Sequence, residues 1–225
     1  MERVQREIPL EQERVWEAEG LPVLRLELRL PQPPEACDDR VRRRIARYYQ
    51  LQARACLHRC THWLLPQAQA ACAASLADGQ PPLCFQVSLE HCITRNSDSL
   101  WSLFTQTREL TGAGPALLLR WGDTWDLRTG YLLSLPQFFP RKTPWKRLLL
   151  EHASSVMEAQ ERDGTACWRP DWRKQLRRRF DPRSFYLTEE GLCVFYGLFA
   201  LGPAAEGIPV FSLPYAPEGP LCLPR

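Results

Sequence analysis

Between Leu24 and Leu30 leucine recurs at every second position, with Arg25, Glu27 and Arg29 in the gaps, the pattern of a strand with one buried and one wet face. Pro31, Pro33 and Pro34 stop it, and Asp38 or Asp39 can cap a helix beginning at Arg40. From Arg40 to about Leu76 the spacing turns helical. Val41, Ile45, Tyr48 or Tyr49 and Gln52 share one face, and Arg42, Arg43, Arg44 and Arg47 take the other. Pro66 leaves two readings open, one long helix or two joined there. The charge-rich residues before Gly20 predict a surface segment with some helix or an edge strand.

Asp78-Gly79-Gln80-Pro81-Pro82 ends the helix, and three strands are predicted over Leu83–Thr94, Ser99–Leu110 and Ala116–Asp126. The turn Asn96-Ser97-Asp98 and the loop Thr111–Pro115 are short, so these strands form an antiparallel meander. Pro144 opens a helix to about Gln160 with Trp145, Leu148, Leu149, His152 and Val156 inward. A second helix spans Pro170–Phe180 on Trp172, Leu176 and Phe180. Phe185–Leu187 and Leu192–Tyr196 read as a hairpin whose turn expects a positive φ at Gly191, and Ile208–Tyr215 as a last strand. The order of elements argues for an α+β fold, an antiparallel sheet with helices packed on one face, in two sequential lobes. The expected divisions are a surface segment 1–20, a strand-helix-meander lobe 21–122, a second lobe 123–216 and a tail 217–225.

Size and composition agree with a folded chain: 225 residues, 44% hydrophobic and 24% charged, exclude wholesale disorder. Net charge is only +3, too small to mark a nucleic-acid binder. The charges are segregated, however: residues 1–39 hold ten acids and five bases, residues 141–180 eleven bases and five acids. The opening Met1-Glu2-Arg3-Val4-Gln5-Arg6-Glu7 lacks the apolar core of an export signal. The most apolar stretch, Leu192–Ala205, is interrupted by Gly197, Gly202 and Pro203, which argues against membrane insertion. Nine cysteines, an odd number at irregular spacing, read as reduced thiols of a cytoplasmic protein.

No grouping of residues announces catalysis. Cys56, His58, Cys60 and His62 alternate, but on a helix the thiols and the imidazoles fall on different faces and four ligands cannot converge. Asp123 and Asp126 are three apart on a strand end, where turn chemistry explains Asp126 better than acid-base work does. His91 and Cys92 are neighbours on a strand and face opposite sides. Nucleophile-elbow, zinc-protease and phosphate-loop motifs are missing. The expectation is a protein without enzymatic activity, metal or cofactor.

Two features point to partners instead. The arginines of 40–47 and of 169–179, with Arg173, Lys174, Arg177, Arg178 and Arg179, are basic helix faces; phosphate contact would need both patches side by side, so nucleic acid ranks below protein. Trp121, Trp125, Phe138, Phe139 and Trp145 gather around turns and are the partner-binding candidates, against the alternative that they pack a sheet onto the 144–160 helix.

The segments Trp125-Asp126-Leu127-Arg128-Thr129-Gly130 and Leu133–Phe139, with the hairpin Ser184–Leu192 and the strand Gly207–Tyr215, resemble the C-terminal domain of RsiV-type anti-sigma factors. Val23–Gln32 is similar to the first strand of the domain that precedes it in the RsiV/PdaC-type accessory family. The resemblance covers about residues 20–216 and implies a non-catalytic domain pair that binds or senses a protein. Where family members often carry Gly-Gly-Ala-His-Gly, this chain has Thr111-Gly112-Ala113-Gly114-Pro115, and it shows no sigma-binding segment or transmembrane helix, so lysozyme sensing does not carry over. The alternatives are a cell-wall-related hydrolase, or an accessory to one, and nucleic-acid contact through the basic helices.

Overall fold

A computed structural model of the chain describes residues 8–112, 114–215, 219 and 221–222. The first seven residues of the expected N-terminal segment, Ala113 in its loop and most of the expected tail lie outside the described residues. Two compact units divide the chain: residues 1–91 with 106–117, and residues 92–105 with 118–225. The α+β class holds, with a six-stranded and a three-stranded sheet.

In the first unit the charge-rich start is the edge strand β1 (Glu11–Ala18), turned back on β2 (Leu21–Arg29) through Glu19 and Gly20, both at positive φ. Asp38 caps α1 (Asp39–Arg59), its side chain accepting from the Arg40 amide at 2.7 Å. Val41, Ile45, Tyr49 and Ala53 form the buried stripe of α1 at four-residue spacing. Neither reading at Pro66 is quite what forms. A π-turn over Cys60–Leu64 joins α1 to α2 (Leu65–Ala77), and Pro66 sits in the first turn of α2. The helical path is unbroken there, the Leu65 amide donating to the Cys60 carbonyl one residue before the proline.

β2 and β3 (Phe85–Asn96) pair in parallel, Leu26 opposite Val87. An all-antiparallel sheet, as the sequence reading expects, has no place for this pair; a helix between two neighbouring strands makes a crossover, and a crossover delivers the second strand parallel to the first. Leu24, Leu26 and Leu28 pack with Phe85, Val87 and Leu89 and with Ala53, Cys60, Leu64 and Ala68 of the helices. The six-stranded sheet continues in sequence order through β4 (Leu100–Leu110), β5 (Leu117–Asp126) and β6 (Tyr131–Leu132).

In the second unit α3 (Trp145–Arg162) and α4 (Trp172–Arg178) pack with the antiparallel sheet of β7 (Phe185–Leu187), β8 (Gly191–Phe195) and β9 (Val210–Pro214). The buried line of α3 is Leu149, Ala153 and Met157, with the expected Trp145, Leu148, His152 and Val156 on its flanks. Gly191 corrects the sequence reading: its φ is not positive. The turn is held by Thr188, whose hydroxyl accepts from the Gly191 amide at 3.1 Å. Glycine is needed because a Cβ there would lie 2.3 Å from the Leu213 carbonyl oxygen on β9.

Candidate functional site: a basic groove between α3 and α4

The first turns of α3 and the outward side of α4 enclose a groove of about 700 Å³. Trp145 and Leu150 of α3 and Leu176 of α4 give it an apolar floor, and Lys146, Arg147, Arg173 and Arg177 stand around it with Glu151 and Ser154. Helical spacing explains the arrangement. Lys146 and Leu150, like Arg173 and Arg177, are four residues apart and therefore stacked along one face.

The floor is firmly based. Trp145 lies 6.3 Å from both Phe139 and Phe180, a row of three tilted rings, and Lys146 Nζ sits 5.5 Å from the Phe180 ring. Behind α4 the Tyr196 hydroxyl donates to the Leu176 carbonyl at 2.9 Å, and burial pushes that phenol above its ordinary pKa. Along α4 Gln175 donates to Asp171 at 2.7 Å and accepts from Arg179 Nε at 2.9 Å. Gln175 first, then Arg169, holds the Asp171 carboxyl below the usual range.

Two cations of the groove have local partners: Arg147 meets Glu151 at 3.6 Å, and Arg173 meets Glu158 at 3.3 Å while its guanidinium lies 4.3 Å from the Trp172 ring. Lys174, Arg177 and Arg178, on a contiguous surface with Arg173, have no ion pair among the described residues. The site is thus a surplus of positive charge beside an apolar floor. Such a surface receives carboxylates together with an apolar side chain.

The aromatic candidates separate. Trp125, Phe138 and Phe139 are buried at 4%, 1% and 6% exposure, and Phe138 and Phe139 belong to the packing alternative, in one core cluster with Leu149, Ala153 and Met157 of α3. Trp145 is half-buried in the groove floor, and Trp121, 44% exposed, stands on β5 away from it. Sequence reasoning singles out the α4 cations but not Lys146, Arg147 or Leu150. The four-residue spacing of Lys146 and Leu150 is the mark that could have found them.

Asp123 is buried in β5, and Asp126 accepts from the Arg128 amide at 2.9 Å, as the turn reading expects. Burial opposes the Asp126 charge, but the Arg128 amide, Thr129 and the Arg128 guanidinium outweigh it and hold the carboxyl below the usual range. His58 and His62 stack with centroids 4.3 Å apart, and the Cys56 and Cys60 thiols pair with each other, which raises the Cys60 pKa. Among the described residues no group of three or more His, Cys, Asp and Glu could hold a metal ion. No helix among them is long and apolar enough to cross a membrane.

Residues 149–216, which carry most of α3, α4 and β7 to β9, match the profile of a family described as a protein of unknown function, DUF3298. No curated protein matches the sequence. Two solved structures share the fold. A DUF3298 family member from Bacteroides fragilis has a TM-score of 0.62 at 13% identity, over 93% of this chain and 89% of that one. A DUF3298 family protein from Pseudomonas aeruginosa has a TM-score of 0.52 at 20% identity, over 93% and 92%. What this chain has in common with both is the architecture, and the profile match places the groove-forming helices largely within the DUF3298 segment.

Proposed function

We propose that this chain is a non-catalytic protein-binding module whose second unit receives an acidic segment of a partner protein in the groove between α3 and α4. The observation that carries the reading is the juxtaposition of Arg177, Lys146 and Arg173 with the apolar floor of Trp145, Leu150 and Leu176. An RsiV/PdaC-type role, with its emphasis on recognising another protein, is consistent with this assignment. A cytoplasmic setting belongs to the same proposal and is supported by nine cysteines with no disulfide among them.

A protein segment fits the groove better than nucleic acid does. Glu151 and Glu158 stand among the cations, and a continuous row of phosphates would have to pass them. The apolar floor, in turn, offers nothing to a phosphate and a good seat to a leucine or aromatic side chain. The test is a fluorescence titration of the full chain with a labelled Glu-rich peptide containing Leu and Phe, with the same peptide after Glu→Gln replacement, and with single- and double-stranded DNA and RNA. The acidic peptide alone should bind, and Arg177→Glu with Arg173→Glu should abolish binding. Equal binding of the Gln peptide, or preference for nucleic acid, overturns the reading.

A further inference from the structure

From Arg40 to Ala77, the whole length of α1 after its first residue and all of α2, the chain carries seven arginines and no Asp or Glu. Two of the seven are neutralised nearby, Arg42 by Asp39 and Arg59 by Glu109 at 2.6 Å. Arg40, Arg43 and Arg47 are exposed and make no ion pair among the described residues. Steps of three and four residues put these three in one line with Leu51, Arg54 and His58, opposite the buried stripe of Val41, Ile45, Tyr49 and Ala53. At the helical rise that line is about 27 Å long.

An apolar margin runs beside it. Gln50 holds the chain at Ile8 through both backbone groups, its Oε1 accepting from the Ile8 amide at 2.8 Å and its Nε2 donating to the Ile8 carbonyl at 2.7 Å. Ile8, Pro9 and Leu10 are thereby laid along α1, and with Arg43, Arg47 and Leu51 they border a groove of about 650 Å³. Among the described residues no carboxylate lines it. Leu51 and Leu10 are 55% and 45% exposed, so they stand out beside the cations, unlike the recessed floor of Trp145 and Leu176 in the second unit.

We infer that this face of the first unit docks on the surface of a bilayer rich in anionic phospholipid, with the arginines at headgroup level and Leu51 and Leu10 reaching the first acyl carbons. Charge complementarity selects the occupant. A plane of negative headgroups meets every outward group of a straight helix face at once, which demands cations and protruding apolar groups without carboxylates between them. α1 meets that demand after Asp39. The α3/α4 groove does not, because Glu151 and Glu158 stand among its cations. A nucleic-acid backbone would meet Leu51 in the middle of the arginine line, where a row of phosphates gains nothing from an apolar group. The contact is made at the interface, and no segment crosses the membrane. It lies within the first unit and does not depend on the function proposed for the α3/α4 groove.

Co-sedimentation of the full chain with vesicles of phosphatidylglycerol and phosphatidylcholine in equal parts tests it, against vesicles of phosphatidylcholine alone and with duplex DNA as competitor. The chain should pellet with the anionic vesicles only, and added salt should release it. Arg43→Glu with Arg47→Glu should weaken binding at least about twentyfold, from about fivefold for each arginine. Leu51→Ser should weaken it as well, and both variants should keep the unaltered melting temperature. Amide hydrogen exchange of the unaltered chain, independent of any variant, should slow over residues 40–54 when anionic vesicles are added. No binding to anionic vesicles, equal binding to neutral ones, displacement by DNA at matched charge, binding that survives the double charge reversal, or exchange in α1 that ignores the vesicles overturns the inference.

Discussion

The Ser102 hydroxyl receives the Leu187 amide at 2.8 Å, so a fully buried side chain on β4 closes the open edge of β7. Ser102 Oγ also lies 2.8 Å from Thr124 Oγ1, which fixes the hydroxyl and leaves its oxygen aimed at the amide. Ser102→Ala should leave the Leu187 N–H buried without an acceptor, at a cost of about 1–3 kcal/mol. In a chain of this length that is a fall in melting temperature of roughly 2–4 °C per kcal/mol. Thermal unfolding checks it; a melting temperature equal to the unaltered chain's would mean the hydroxyl is dispensable.

Two glycines stand where a neighbouring carbonyl leaves no room. A Cβ at Gly122 would lie 1.9 Å from the Phe185 oxygen, and one at Gly191 2.3 Å from the Leu213 oxygen, whereas Gly197 has nothing within 4 Å. Gly122→Ala and Gly191→Ala should each destabilise by about 1–3 kcal/mol or more, since backbone must move to relieve them. Gly197→Ala should stay within roughly 0.5 kcal/mol, as surface changes do. Urea denaturation of the three variants would contradict the account if Gly197→Ala were the most damaged.

Asp126 gives the turn before β6 a pH dependence of known sign. Its folded pKa is depressed, so its contribution is present above the unfolded carboxylate pKa and is lost as pH falls through the folded value. The stability gap between the unaltered chain and Asp126→Asn should therefore be full at neutral pH and shrink as the solution is acidified below about pH 4. Paired denaturation curves across that range check it. A gap that widened on acidification would reverse the assigned sign.

Tyr196 ties α4 to the hairpin beneath the groove through the Leu176 carbonyl. Tyr196→Phe keeps the ring and removes one buried donor, a loss of about 0.5–1.5 kcal/mol. Because Leu176 belongs to the floor, the same variant should weaken acidic-peptide binding less than Arg177→Glu does. Calorimetry of both variants measures the order, and the opposite order would locate the binding energy elsewhere.

How much of the fold and the groove is legible in the residues varies with how local the cause is. The β3, β4 and β5 strands stand out because alternation and Gly/Pro punctuation are written in adjacent positions, and the stripe of Val41, Ile45 and Tyr49 likewise. Parallel pairing of β2 with β3 is not local; it comes from the helical crossover, which the pattern contains but does not spell out. The π-turn at Cys60–Leu64 changes hydrogen-bond spacing without changing composition, so nothing marks it. At Gly191 the sequence points to the right residue and the wrong cause, because the approach of Leu213 comes from a strand some twenty residues away. Aromatic character alone cannot separate Trp121 on the surface from Trp125, Phe138 and Phe139 in the core. The α4 cations are visible, but a groove requires two helices, and no periodicity within α4 names Trp145 and Leu150 as its other wall.

The most direct test of the proposed groove is a map of amide and indole NMR shifts in the full chain during titration with the Glu-rich peptide. The perturbed signals should cluster on Trp145, Lys146, Leu150, Leu176 and Arg177, and should vanish with Arg173→Glu and Arg177→Glu. Shifts gathered on the arginine face of α1, around Arg43 and Arg47, or spread with no focus on α3 and α4, would contradict it.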